Sequence, residues 1–335
     1  MSLPPVEIPL GAIRFNSDSQ KLEYFNGDVW MQIHTFSPNL DGGARGLFGG
    51  GYTPTAVNTI DYITIETAGN AVDFGDLNYT DNNVCSSAAS RTRGMWFGGG
   101  TEPDAENDNI SYLTIASTGN AADFGNLTQA RRGSAAVASA TRAVICGGRT
   151  PTIQNIMDYV TIASTGNAVD FGDIDGKDGE CSSMISGSSP TRGVLMGGTG
   201  PTSQTIISYI TIATTGNDQD FGDLTAASNS VGGCSNSTRA ICRIRGTTNV
   251  DSIQIATRGN GIDFATSVDG LYGNFASSPT RGVLGAYTVA PSETALNRMD
   301  YTSLQTGGDF IDFGDLTQAR KQRNGGCSNA HGGLG

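Results

Sequence analysis

One phrase returns six times along this chain, and few folds can accommodate it. Tyr62, Tyr112, Tyr159, Tyr209 and Tyr301 each stand twelve residues before a Phe, at Phe74, Phe124, Phe171, Phe221 and Phe313. Each Phe follows an Asp and precedes a Gly, as in Asp73-Phe74-Gly75 and Asp312-Phe313-Gly314. A sixth, divergent copy has Ser252 in the Tyr position and Asp263-Phe264 at the same distance. The Phe-to-Phe steps are 50, 47, 50, 43 and 49 residues. Such a period marks one supersecondary unit repeated, in which neighbouring units complete each other's core.

Each copy reads as four strands. A small, Ser-rich run comes first, as at residues 86–90 or 182–189, followed by a Thr-Arg turn such as Thr92-Arg93 or Thr191-Arg192. An apolar strand ending in glycines follows, as in Met95-Trp96-Phe97-Gly98-Gly99, and then a variable loop. The third strand, Ile60-Asp61-Tyr62-Ile63-Thr64-Ile65, alternates with period two. Gly69-Asn70, Gly119-Asn120 and Gly166-Asn167 then read as tight turns whose residues adopt positive φ, and the fourth strand carries Asp-Phe-Gly. The 47 glycines show no Gly-X-Y period, which excludes collagen. A four-stranded unit of this size cannot cover both of its faces, and packing units around an axis solves that. The expected fold class is therefore all-β, a six-bladed propeller over residues 42–335. The Ser, Ala and Gly of the first strands would crowd the axis.

The order Arg, apolar strand, Gly-Gly, Tyr, aromatic resembles the kelch repeat. The family's Gly-Gly pair corresponds to Gly49-Gly50, Gly99-Gly100, Gly147-Gly148 and Gly197-Gly198, its Tyr to the Tyr series, and its usual Trp to Phe74 and its equivalents. Copies five and six depart from the pattern, with single glycines at Gly246 and Gly285. The first copy opens at Gly43-Ala44-Arg45 without an innermost strand, while the chain ends in a matching Gly326-Cys327-Ser328-Asn329. The C-terminus is expected to complete the first blade and close the ring, so that no sheet edge is left open.

Residues 1–41 form a separate small unit. Ile13-Arg14-Phe15 alternates, 17–20 reads as a turn, and Asn26-Gly27 signals a hairpin before Val29-Trp30-Met31. So short a unit cannot build its own core, so Phe15, Tyr24, Phe25 and Trp30 are expected to serve attachment. Residues 1–10 lack a basic start and a long apolar run, so no secretory signal peptide is expected. None of the six cysteines forms a C-x-x-C pair, and repeat-equivalent cysteines fall in different blades. All six are expected to be reduced, small and buried. The net charge of −12 argues against nucleic acid and anionic membranes as partners.

The phrase Gly11-Ala12-Ile13-Arg14-Phe15-Asn16, continuing to Trp30, resembles short modules of bacteriophage tail-fibre proteins. The phrase Tyr-Ile-Thr-Ile-x-x-Thr-Gly-Asn-Ala-x-Asp-Phe-Gly is similar to virion proteins of tailed phages of marine cyanobacteria. The resemblance implies a virion appendage, assembled in the host cytoplasm and homo-oligomeric in the particle. Its N-terminal segment would meet other virion proteins and its propeller a neighbour or a host-surface glycan.

The repeated Arg45, Arg93, Arg142, Arg192, Arg239 and Arg281 lie on the same propeller face as Asp73 and its equivalents. Six copies of one contact indicate architecture, either ion pair or backbone hydrogen bond, with a ring of calcium sites as the alternative. Function is sought on the opposite rim, where Tyr52, Tyr79, Arg131, Arg132, Arg149, Tyr272, Tyr287 and Arg320 are the candidate surface contacts. No catalytic, metal-binding or cofactor-binding residue is assigned: the only histidines are His34 and His331, and no nucleophile elbow or phosphate loop occurs. The rivals are a sialidase-like carbohydrate-active enzyme and a cellular kelch scaffold.

Overall fold

The computed structural model describes residues 8–16, 21–32, 44–81, 85–101, 105–175, 181–229, 232–268, 270–289, 294–321 and 325–334. The expected turn at 17–20, the loop at 102–104 and His34 lie outside them. The chain divides into two compact units, Met1–Gly42 and Gly43–Gly335.

In the smaller unit, strands β1 (Ile13–Asn16), β2 (Lys21–Phe25) and β3 (Trp30–Gln32) form one antiparallel sheet in that order. Asn26 starts the β2–β3 turn by accepting the amides of Asp28 and Val29 on its side-chain oxygen, with Gly27 at φ +106°.

The larger unit is all-β and propeller-like. Among its described residues, six sheets have four antiparallel strands, and each follows one copy of the repeat. Sheet two is typical: Ser86–Ala89, Arg93–Phe97, Asn109–Thr114 and Ala122–Asn126 lie side by side in chain order. Sheet one takes its first strand from the far end of the chain, where Gly326, Cys327 and Ser328 pair with Phe48, Leu47 and Gly46. The first strands of the sheets neighbour one another, and the last meets the first. Hydrophobic side chains gather in six clusters, each made by two successive sheets. One joins Met95 and Ile110 of sheet two to Ala143 and Val160 of sheet three, and another joins Phe313 of sheet six to Ile63 of sheet one.

The Asp-Phe-Gly phrase is a β-bulge. Ile60 pairs with Gly75 and Asp61 with Asp73, so Phe74 is the extra residue, and the same shift recurs in the other sheets. A bulge re-aims the side chain it carries. Phe74 turns inward, 2% exposed, edge-on to Tyr62 at 5.8 Å between ring centres. The Gly that follows makes room for the next sheet. Gly75 sits at φ +142°, and a Cβ there would lie 2.5 Å from the Gly119 carbonyl oxygen. Through that gap the Gly119 amide donates to Phe74 O at 2.8 Å and the Ala121 amide to Asp76 O at 2.7 Å, while the Asp76 amide donates to the Asn120 side chain at 3.1 Å.

This three-bond latch recurs between sheets two and three, three and four, four and five, and six and one. Between sheets five and six, Ala265 replaces the Gly and Gly308-Asp309 replaces Gly-Asn. That seam keeps the bond from Phe310 N to Thr266 O. The turn Asn is thus corrected in role: it takes no positive φ and serves as a side-chain acceptor.

A positive-φ glycine corner ends the second strand of sheets one to four, and in the first two sheets it lies one residue from the Gly-Gly pair read in the sequence. Gly50-Gly51 and Gly98-Gly99 occupy it, at φ +76°/+124° and +57°/+110°, matching Gly147-Gly148 and Gly197-Gly198. In sheet six the position falls to Ala286, at φ +53°. A Cβ at Gly98 would lie 2.5 Å from Arg131 O, so the corner is closed to side chains by the approaching inter-sheet loop.

Gly75→Ala is expected to destabilise the protein by on the order of 2–3 kcal/mol, from both backbone strain and the carbonyl clash. Ala265→Gly, at the seam without the full latch, should cost about 1 kcal/mol or less. Urea denaturation of both variants measures the difference, and equal costs would contradict the latch.

Candidate functional site

The repeated arginines do not pair with Asp73 and its equivalents in the described residues; they bind backbone. Arg45 Nη1 donates to Ile115 O at 2.8 Å and Ala116 O at 3.0 Å in the next sheet. Arg93, Arg142, Arg192 and Arg239 do the same to sheets three to six, and Arg281 closes the series on Ile65 O and Glu66 O of sheet one. Each guanidinium also lies over a ring of its own sheet: Arg45 over Tyr62 at 5.1 Å, Arg142 over Tyr159 at 4.3 Å, Arg281 over Tyr301 at 4.7 Å. In sheet five Ser252 leaves a gap, and Arg239 descends onto Phe264 itself at 4.5 Å. Arg, Tyr and Phe thus stack in order, and the Arg joins that stack to the neighbouring sheet. Hydrogen bonds to a charged donor of this kind are the stronger class.

Four of the candidate surface contacts are corrected by burial. Arg131, Arg320 and Tyr287 are 0% exposed and Tyr272 is 9%. Arg131 Nη1 lies 2.8 Å from Asp158 Oδ2 in the next sheet, and Thr128 donates to the same carboxylate from both its amide (3.2 Å) and its hydroxyl (2.7 Å). Arg320, Thr317 and Asp61 repeat the arrangement between sheets six and one, with the Arg–Asp distance 3.1 Å. Burial drives the Arg320 guanidinium below its usual range, against the pull of Asp61. Tyr287 donates to Asp300 at 2.5 Å, and burial followed by that carboxylate pushes its phenol up.

Asp61, Asp158 and Asp251, each just before the repeat Tyr position, are therefore inter-sheet anchors that sequence reasoning passed over. The signal was present: Thr128-x-x-Arg131 and Thr317-x-x-Arg320 precede sheets carrying Asp158 and Asp61, whereas Asn78 and Asp175 precede sheets carrying Ser111 and Ser208.

The other candidates stay nearer the surface. Arg149 is exposed, and Tyr52, Tyr79 and Arg132 are half-buried. Arg132 and Arg149 exchange backbone hydrogen bonds, and Arg132 lies 3.7 Å from Glu106. The Tyr79 hydroxyl donates to Gly98 O at 2.7 Å. Tyr52 exchanges backbone bonds with Lys321, whose ammonium lies 5.8 Å from the Tyr52 ring and 5.0 Å from that of Tyr272. The rim thus gathers Tyr52, Lys321 and Tyr272 at one seam and Arg132 and Arg149 at another.

On the axis, Ser87, Ala89, Ala138, Ser186, Ser188, Ser235, Ser277 and Ser328 line a cavity of about 70 Å³. The serines staple the first strands together, as in Ser87 to Gly326 O at 2.9 Å and Ser235 to Ser188 O at 2.8 Å. The six cysteines are buried, and burial pushes the Cys327 thiol up to about 12. The turn Gly332–Leu334 lies across this end. A Cβ at Gly333 would sit 1.8 Å from Ala138 O, and Arg91 holds Leu334 O at 2.8 Å. His331 Nδ1 accepts the Gly333 amide at 3.1 Å, so its proton is on Nε2, 2.7 Å from Ala89 O. Burial lowers its pKa, partly opposed by the Ala89 carbonyl.

In the N-terminal sheet the four attachment candidates separate. Phe15 and Tyr24 share a face with Ile13, Leu22 and Met31, since Ile13 pairs with Tyr24, Phe15 with Leu22 and Tyr24 with Met31. These five are 66%, 63%, 46%, 40% and 43% exposed for Ile13, Phe15, Leu22, Tyr24 and Met31. Phe25 and Trp30 lie on the other face, ring centres 5.5 Å apart, where Arg14 covers Trp30 at 4.2 Å. There Asn16 and Arg14 bind Glu23 and hold its carboxyl below the ordinary range.

No protein-family model matches the chain, and no curated protein matches it.

Removing one member of a buried charged pair should cost about 3–5 kcal/mol, so Arg131→Met or Asp158→Ala is expected to lower stability by that order, and the two together by less than their sum. A double-mutant cycle in urea measures it. Burial holds the folded His331 below its unfolded value near 6.5, so the stability it contributes is complete above that pH and lost as pH falls below it. The loss of stability from pH 7 to 5 should be smaller in His331→Gln than in the native chain.

Proposed function

We propose that the chain is a structural component of a tailed-phage virion, a tail fibre or appendage, built on a six-bladed kelch-like propeller closed by its C-terminal strand. The observation carrying this reading is the N-terminal sheet, which turns five apolar side chains outward on a unit too small to have a core. A face of that kind attaches to a neighbouring surface in an assembly. Six four-stranded sheets, six inter-sheet clusters and the pairing of Gly326–Ser328 with Arg45–Thr53 support the closed six-bladed form.

The propeller contacts neighbouring subunits or host-surface glycan through its rim, where Tyr52, Tyr79, Arg132 and Arg149 remain accessible in part or whole. Many copies on a particle raise weak contacts to useful avidity. The sialidase-like alternative calls for an arginine cluster at the axis. Among the described residues the axis is lined instead by Ser, Ala, Gly and Cys with Phe275 and His331, and the repeated arginines are held by backbone carbonyls, which favours a non-enzymatic role.

Mass spectrometry of density-purified particles tests the proposal. Peptides of this chain are expected to co-purify with capsid and tail proteins. Their recovery only from host cytosol would overturn it in favour of a cellular scaffold.

A further inference from the structure

We infer that the apolar face of the N-terminal sheet is covered by the same face of a second copy of this chain. This rests on the attachment reading above and names the occupant. Ile13, Phe15, Leu22, Tyr24 and Met31 form two cross-strand rows, Ile13–Tyr24–Met31 and Phe15–Leu22, with no charged side chain among them. The charged pair of the sheet, Arg14 and Glu23, is on the opposite face and already joined at 2.8 Å. Two chains of net charge −12 can therefore meet here without bringing like charges together within the contact itself.

The area is sufficient. A whole aromatic side chain presents roughly 150–250 Å², and an aliphatic one somewhat less. The five fractional exposures then sum to about 500 Å² per copy. Two copies face to face would bury about 1,000 Å², the lower bound for a specific interface.

The pattern also complements itself. β1 and β3 flank β2, so a two-fold axis along β2 places Ile13 of one copy opposite Met31 of the other and brings the two Tyr24 rings together. Aliphatic meets aliphatic, and each Tyr hydroxyl can reach the edge of the contact. Sheets packed this way lie about 10 Å apart, which these side chains span.

The full-length chain is the material for the test. Sedimentation equilibrium at micromolar concentration should give twice 34.7 kDa, and Phe15→Glu should return it to 34.7 kDa. Because all six native cysteines are buried, Tyr24→Cys supplies the accessible thiol. Mild oxidation should link that variant into a covalent dimer, while Arg14→Cys, on the opposite face, should stay unlinked. A monomeric native chain, or equal linking of the two cysteine variants, overturns the inference. If a monomeric chain is nonetheless found in particles and Phe15→Glu removes it from them, the attachment reading stands with a different occupant. Absence from particles alongside a confirmed dimer sinks the virion reading alone.

Discussion

The larger unit depends on one contact: the bulge at Asp-Phe-Gly receiving the Gly-Asn turn of the next sheet. The bulge sends Phe74 and its equivalents into the space between sheets and leaves a backbone without a side chain beside it. Only there can the turn glycine of the next sheet donate to the Phe carbonyl, because any Cβ would occupy the position of Gly119 O or its counterparts. Backbone groups at sheet edges must find partners, and this contact satisfies several of them between sheets that share no ladder. Sheet five shows the dependence in reverse. Where the turn is Gly308-Asp309, the bulge glycine is Ala265, and one change accompanies the other.

Around that contact the charged groups act as ties. On one rim, Arg45 and its equivalents reach across to the next sheet's turn while lying on their own Tyr. Nearer the other rim, Arg131 and Arg320 carry buried carboxylates of the following sheet. Groups held this way are unavailable to a ligand, which moves the search for contacts to the half-buried Tyr52, Tyr79 and Arg132, to exposed Arg149, and to the N-terminal sheet. That sheet has the inverse organisation. Its polar pair is joined on one face, where Glu23 is buried, and its apolar side chains are exposed on the other, so its stability depends on what covers them.

Several features were legible in the chain before folding. Twelve residues from Tyr to Phe fixed the length of the third strand, turn and fourth strand, and the copy count followed from the period. The incomplete first copy and the matching end of the chain indicated that Gly326–Ser328 would join sheet one, as it does. The six cysteines are buried, as expected of small residues in a packed repeat. Other readings failed for physical reasons. Arg131 and Arg320 read as surface residues because charge and a loop position ordinarily mean exposure, yet each lies over a carboxylate about thirty residues ahead or at the other end of the chain. The turn Asn read as a positive-φ residue because local rules concern its own backbone, whereas its work is done on another sheet.

The sequence by itself determined the repeat, its four strands and which residues belong to each unit, because these are set by neighbours a few positions apart. The tertiary structure alone decided which charges are buried, which glycines are obligatory and which face of the N-terminal sheet is bare. Those outcomes turn on distances between units that the linear order leaves open, and only packing brings a carboxylate of one sheet to the guanidinium of another.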